Sequence, residues 1–121
     1  MGIQNIEQMN RDPLRGNLFE NLVILELIKA RLNKGLDPQL YFYRDTHGHE
    51  VDLIFQSGHQ LIPVEIKSAK TFNKDILKNL AFFQKISKER CSKGFVIYAG
   101  DQEQNIGSFK LLNYNNAIQI F

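Results

Sequence analysis

The segment that most restricts the fold is residues 94–99, Gly-Phe-Val-Ile-Tyr-Ala, which contain no charged side chain. A strand without polar alternation is typical of the centre of a sheet that is covered on both faces. Residues 72–88, which precede it, carry apolar side chains at helical spacing. A helix between two strands indicates a right-handed crossover that brings the chain back to a parallel neighbour. The sequence therefore predicts that residues 94–99 pair in parallel with the strand before this helix.

The first half of the chain contains a long helical pattern and then three shorter segments. Residues 13–34 are predicted as one helix, because Asp12-Pro13 suits a helix start and Asn33-Lys34-Gly35 suits a helix end. Turn sequences at hairpin spacing separate the shorter segments, which predicts an antiparallel meander of three strands. These strands are expected at residues 39–44, 50–56 and 61–67.

Two details of the meander can be predicted. Side chains alternate along a strand, so Val51, Leu53 and Phe55 are expected on one face and Asp52 on the other. Pro63 has no N–H to donate to a ladder, which predicts that the third strand lies at a sheet edge or contains a bulge.

Two weaker strands are expected in the tail, at residues 109–112 and 117–121. The predicted order of elements is therefore α-β-β-β-α-β-β-β, an α/β sandwich with a mixed sheet. The chain has 121 residues, of which 43% are hydrophobic, and this suits a single globular domain over residues 1–121.

The composition also restricts the environment in which the chain is expected. No apolar run reaches the roughly 18 residues that a membrane-spanning helix needs, so no membrane partner is expected. Cys91 is the single cysteine and excludes a disulfide within the chain. A reducing, cytoplasmic location is therefore predicted.

Three acidic residues occur among apolar neighbours. Glu20 lies on the apolar sector of the first helix, Asp52 lies in Val-Asp-Leu-Ile-Phe, and Glu65 lies in Val-Glu-Ile. A buried carboxylate without a partner is strongly disfavoured, so each needs a cation, hydrogen-bond donors or a raised pKa. Each one alone is more simply explained as a salt-bridge partner or a hydrogen-bonded structural group.

Lys67 follows Glu65 by two residues, so the two side chains are expected on the same face of their strand. Asp52 on the neighbouring strand would bring a second carboxylate to that face. Two carboxylates and a lysine suit Mg²⁺ or Mn²⁺, with the lysine orienting water or stabilising negative charge. A simple ion pair between Glu65 and Lys67 is the alternative.

The net charge of +2 conceals a strong asymmetry. Residues 67–93 contain eight basic and two acidic residues, which gives +6, and the remainder contains seven basic and eleven acidic residues, which gives −4. This segment could contact a polyanion, or it could be an ordinary solvated lysine face.

The aromatic residues Tyr41, Phe42 and Tyr43 follow one another on the first strand of the meander. Sheet packing explains them better than stacking against nucleic-acid bases.

Together, several short motifs resemble a known family, the domain of unknown function 4143. Nearly the whole chain takes part, from about Gln4 to Gly100. The residues that carry the resemblance are Gly16-Asn17-Leu18-Phe19-Glu20, Glu26-Leu27-Ile28-Lys29, Tyr43-Arg44-Asp45, His49-Glu50-Val51-Asp52-Leu53-Ile54 and Val64-Glu65-Ile66-Lys67-Ser68. The family typically follows an ATPase domain in bacterial and archaeal proteins. It resembles the PD-(D/E)XK nuclease superfamily, which implies a restriction-endonuclease-like fold.

The resemblance implies a role for each matching residue. Asp52 and Glu65 would be metal ligands, with the Ile66 carbonyl as a further ligand and Lys67 as the motif lysine. Glu20 would complete the site from the first helix, and the implied cofactor is Mg²⁺ or Mn²⁺. Val51 stands where the superfamily's name-giving proline would be.

The resemblance also implies contacts with nucleic acid. Gln84 lies roughly where some relatives place a polar residue that contacts DNA or the site. The basic segment would contact DNA phosphates, through side chains that include Lys70, Lys74, Lys78 and Lys85.

The predicted function is metal-dependent hydrolysis of DNA phosphodiesters by a nuclease-like domain. A non-catalytic module that binds DNA, a protein or its own ATPase domain is the first alternative, and a truncated remnant is the second. No Gly-x-x-x-x-Gly-Lys-Ser/Thr loop occurs, so the family's ATPase domain is not expected in these 121 residues. The sequence leaves the oligomeric state open.

Overall fold

A computed structural model describes residues 12–36 and 40–121, and within them the side chains from Leu18 onward. The helices are α1 (Asp12–Asn33) and α2 (Lys78–Ser87), and the strands are β1 (Leu40–Arg44), β2 (Glu50–Ser57), β3 (Gln60–Lys67), β4 (Gly94–Tyr98), β5 (Gln104–Ile106) and β6 (Phe109–Asn113). Short 3₁₀ helices cover Lys74–Leu77, Lys88–Arg90 and Tyr114–Ile120. The predicted helix at residues 72–88 is thus a 3₁₀ turn followed by α2.

The six strands form one mixed sheet in the order β1-β2-β3-β4-β6-β5. Strands β1, β2 and β3 pair antiparallel, as the meander predicts. Strand β4 pairs in parallel with β3 and with β6, and all five of its residues are buried. The predicted central strand and its parallel pairing are therefore confirmed.

Each face of the sheet is covered by a separate apolar cluster. On one face α1 buries Val23 and Leu27 against side chains of β3 such as Val64, and the 3₁₀ helix Tyr114–Ile120 joins the same cluster. On the other face α2 buries Leu80 among residues of the central strands. The observed architecture is a sheet between two helical layers, in agreement with the predicted α/β sandwich.

The C-terminal tail differs from the prediction. The strand predicted at residues 117–121 is wrong, because this segment lies mainly in the 3₁₀ helix Tyr114–Ile120. The Asn113 side chain accepts a hydrogen bond from the Asn115 N–H and so caps this helix at its start. Strand β5, which was not predicted, forms a hairpin with β6 through a turn at Gly107, whose φ is 60°.

The position of Pro63 also corrects a prediction. Strand β3 lies between β2 and β4, so it is not an edge strand. The pairing of β3 with β4 begins at Val64, opposite Phe95, one residue after the proline. The missing N–H therefore does not interrupt that ladder, and Pro63 packs closely against Gly94 at the start of β4.

Within the described residues, no helix combines the length and the apolar content that a membrane span requires.

Candidate carboxylate site

A β-bulge in β2 shapes the region around Asp52. Tyr41 of β1 lies opposite Ile54 and Tyr43 lies opposite Val51, so two steps along β1 match three steps along β2. The extra residue reverses the alternation that follows it. Val51 consequently packs in the same cluster as Ile54 on the α2 face, and the prediction that it shares a face with Leu53 and Phe55 is wrong.

Strands β2 and β3 separate next to this bulge. Their regular pairing ends at Leu53 and Val64. Beyond that pair, side chains take the place of ladder bonds: the Ile66 N–H donates to Asp52 Oδ2 at 2.8 Å, and the Asp52 N–H donates to Glu65 Oε1 at 3.3 Å. Each carboxylate is therefore held by the backbone of the opposite strand.

Two further charged side chains reach the same place. Lys67 Nζ lies 3.6 Å from Glu65 Oε2, and Glu20 reaches across from α1 to form a hydrogen bond with Asp52. The predicted convergence of these four residues is confirmed as geometry. Their roles as metal ligands or catalytic groups stay predictions.

Burial and mutual repulsion change the acidity of this group. Glu65 is only 2% exposed, and its burial, followed by the negative charge of Asp52, raises its pKa to about 8, with Lys67 offsetting part of the effect. Burial and the hydrogen bond to Asp52 likewise raise the pKa of Glu20 to about 8. Glu20 and Glu65 therefore tend to keep protons near neutral pH, and a divalent metal ion could replace those protons.

The group opens into a cavity of about 450 Å³. The cavity is lined by Glu20, Phe42, Tyr43, Arg44, Glu50, Val51, Asp52 and Lys67. Arg44 Nε pairs with Glu50 Oε1 at 3.1 Å at its rim. The lining is mainly polar, which suits a charged ligand better than an apolar one.

The aromatic residues of β1 do not behave alike. Tyr43 packs on the α2 face against Phe83, with ring centroids 5.6 Å apart, which agrees with the predicted sheet packing. Phe42 is 73% exposed, so the packing prediction is wrong for this residue. No local signal distinguished Phe42 from its neighbours, because its exposure depends on which helix covers each face of this edge strand.

The oxygen atoms at this site fit an open metal site, completed by water and substrate, better than a site closed by protein ligands. Within residues 12–36 and 40–121, no group of three or more His, Cys, Asp or Glu side chains is arranged to hold a metal ion. Mg²⁺ usually takes one or two carboxylates and completes its shell with water and substrate phosphates. Asp52, Glu65 and the Ile66 carbonyl suit that open mode, whereas a closed protein cage is not formed.

None of the residues predicted to contact DNA lines this cavity. Lys70 lies instead at a second, mainly apolar cavity of about 540 Å³ beside α1. Gln84 bonds to the Ser108 hydroxyl, and Lys78 pairs with Asp75 at 3.2 Å. Lys74 and Lys85 are exposed. The basic segment therefore lies mainly outside the carboxylate cavity, and Lys67 is its one residue that lines that cavity.

Most of the chain matches the model of one protein family. The model of a domain of unknown function, DUF4143, matches residues 15–117. The chain belongs to the DUF4143 family. The match spans the four converging residues, so the whole carboxylate site lies inside the DUF4143 domain. None of the curated proteins compared with the chain matches it.

Proposed function

We propose that this DUF4143 domain hydrolyses DNA phosphodiesters with Mg²⁺ or Mn²⁺, and that its fold is the restriction-endonuclease-like fold of the PD-(D/E)XK superfamily. One observation carries the proposal. Where β2 and β3 separate, the Asp52 and Glu65 carboxylates each accept a hydrogen bond from the backbone of the opposite strand, and Lys67 lies beside Glu65. A domain that needed only stability would not require a buried carboxyl with a pKa near 8.

Each residue has a distinct task in this proposal. Asp52 and Glu65 supply carboxylate oxygens for a divalent ion, and the Ile66 carbonyl supplies a neutral one. When bound there, the ion provides Lewis acidity and an activated water. Lys67 extends from the buried end of β3 into the cavity, where it orients water and stabilises negative charge on the phosphate. Glu20 completes the acidic group from the helix side.

Cleavage assays test the proposal directly. Single-stranded and duplex DNA are incubated with the protein in Mn²⁺, in Mg²⁺ and in chelator, at low salt. We expect cleavage that requires the metal and is lost in Asp52→Asn, which keeps the size of the side chain but removes its charge. Glu26→Gln is the matched control, because Glu26 is a solvent-exposed carboxylate on α1.

Calorimetric titration with Mn²⁺ separates metal binding from cleavage. Binding of about one ion that is weakened in Asp52→Asn and unchanged in Glu26→Gln is expected. If the wild-type protein binds no metal and cuts no DNA, the hydrolytic proposal is wrong.

A non-catalytic protein-binding module is the second candidate, and the outer face of α1 favours it. Leu18, Leu22, Leu25 and Leu32 recur at spacings of three, four or seven residues and are about half exposed or more. An apolar stripe of this size on a helix commonly marks an interface. The ATPase domain that accompanies family relatives would be the partner, and Leu22→Glu should abolish its binding in a pull-down with purified proteins while leaving the carboxylate site intact.

A further inference from the structure

Phe42 projects an aromatic ring into a cavity that is otherwise mainly polar. It lies between Tyr41 and Tyr43, directly opposite the bulge in β2. Because Tyr43 faces α2, the alternation of the strand directs Phe42 to the α1 face, where it lines the cavity together with Glu20. With 73% of its surface exposed, the ring has most of its area open to a ligand.

We propose that Phe42 stacks against an unpaired base and that the carboxylate site therefore acts on single-stranded DNA. This inference rests on the proposed hydrolysis of phosphodiesters and adds a substrate class to it. Sites for single strands combine aromatic side chains, on which bases stack, with cations that follow the backbone. The cavity contains both components.

Two cationic side chains line the cavity together with the ring. Arg44 is two residues after Phe42 on β1, and its side chain is 68% exposed. The Lys67 side chain, which is 43% exposed, approaches from β3. A nucleotide whose base covers Phe42 could thus place its phosphate near these cations and beside Asp52.

The size and surroundings of the cavity favour a single strand over a duplex. A volume of about 450 Å³ is within the range of small-molecule sites and can admit one nucleotide. In a duplex the base faces are already stacked on each other, so a protein ring has no free face to cover. Among the residues that the structure describes, only two cationic side chains, Arg44 and Lys67, line the cavity, which suits one backbone better than the two backbones of a duplex.

Tyr41 provides a matched control on the same strand. Its ring is also exposed, at 49%, but it does not line the cavity. If exposed aromatic residues of β1 acted only through general stickiness, Tyr41 and Phe42 would behave alike. Base stacking in the cavity requires that loss of the Phe42 ring weakens DNA binding and that loss of the Tyr41 ring does not.

The test measures binding of a fluorescent oligo(dT) 12-mer and of a 12-base-pair duplex by anisotropy. Ca²⁺ replaces Mg²⁺, because its longer bonds, roughly 2.3–2.6 Å, do not match the geometry for cleavage. The proteins are wild type, Phe42→Ala, Phe42→Tyr and Tyr41→Ala. We expect Phe42→Ala to weaken binding of the single strand by about 5- to 100-fold, the range for loss of one stacked base.

Phe42→Tyr should bind the single strand with nearly wild-type affinity. The affinity of Phe42→Ala for the duplex, and that of Tyr41→Ala for the single strand, should each differ from the wild-type value by less than about twofold. Unchanged single-strand binding by Phe42→Ala, or an equal loss for the duplex, would overturn the inference. So would a changed oligomeric state of Phe42→Ala in sedimentation, because the ring would then belong to a protein contact. If the wild-type protein cuts duplex DNA with Mn²⁺ but binds no single strand, the stacking inference fails and the proposed hydrolysis stands.

Discussion

Replacing Glu65 with glutamine measures what the buried carboxyl costs the fold. Burial and the Asp52 charge raise its pKa from 4.5 to about 8. Between these two values the folded chain binds a proton more tightly than the unfolded chain does. The free energy of unfolding of the wild-type protein should therefore fall as the pH rises from about 5 to 8.

The size of the effect follows from the shift. One pKa unit corresponds to about 1.36 kcal/mol. At pH 7 the folded chain keeps Glu65 mainly protonated, about 2.5 units above the 4.5 of the unfolded chain, and this costs about 3 kcal/mol of stability if the whole shift belongs to this group. Glu20 responds to the same charges, so the shift is shared between them and about 2 kcal/mol is a reasonable expectation for Glu65 alone. Glu65→Gln removes the charge but keeps an oxygen that can accept from the Asp52 N–H.

The assay is urea unfolding followed by circular dichroism at pH 5, 6, 7 and 8 in chelator. Glu65→Gln should match the wild-type protein at pH 5 and exceed its stability by about 2 kcal/mol at pH 7 and above, with Glu26→Gln as the exposed control. At pH 8, Mg²⁺ should stabilise the wild-type protein more than the variant, because only the wild type offers both carboxylates. A wild-type stability that does not change between pH 5 and 8 would refute the reasoning.

Three further predictions address the catalytic lysine, the basic surface and the packing of the loop after β3. Lys67→Ala should lower cleavage at least about 100-fold and weaken DNA binding far less, because Arg44 and the lysines outside the cavity keep most of the phosphate contacts; an equal loss of binding would contradict this. Charge reversal at Lys74 and Lys78 should weaken DNA binding and reduce its salt dependence by roughly one unit of slope per lost contact, with cleavage at saturating DNA retained; an unchanged slope would remove this surface from the DNA contact. Gly100→Ala should lower the free energy of unfolding by about 1–3 kcal/mol in the same urea assay, because the added Cβ would collide with the Lys70 carbonyl; wild-type stability would show that the loop can adapt.

Local patterns were sufficient for much of the fold. The uncharged run that forms β4 and the helical pattern before it predicted the parallel pairing with β3, because both features are local and the handedness of crossovers limits the alternatives. The buried carboxylates were also visible in the sequence, because an acidic residue between branched apolar residues is unusual. These signals depend on neighbouring residues alone.

The missed features depend on contacts between distant segments. The bulge in β2 exists only in relation to its pairing with β1, so alternation within β2 could not reveal that Val51 changes face. The exposure of Phe42 depends in turn on this bulge and on which helix covers which face. In the tail, the capping of the last 3₁₀ helix by Asn113 competes with strand propensity, and the apolar residues after it were therefore misassigned.

The bulge in β2 interrupts the regular pairing of the sheet at the position where the cavity uses Asp52. Deleting Leu53 would let β1 and β2 pair without interruption, which would favour a more regular sheet. The same deletion would alter the backbone next to Asp52 and so disturb its hydrogen bonds with Glu65 and Ile66. A substitution in β2 changes one side chain, whereas an insertion or deletion changes the register of the whole strand. This DUF4143 domain is therefore expected to tolerate altered side chains in β2 far better than an altered number of residues.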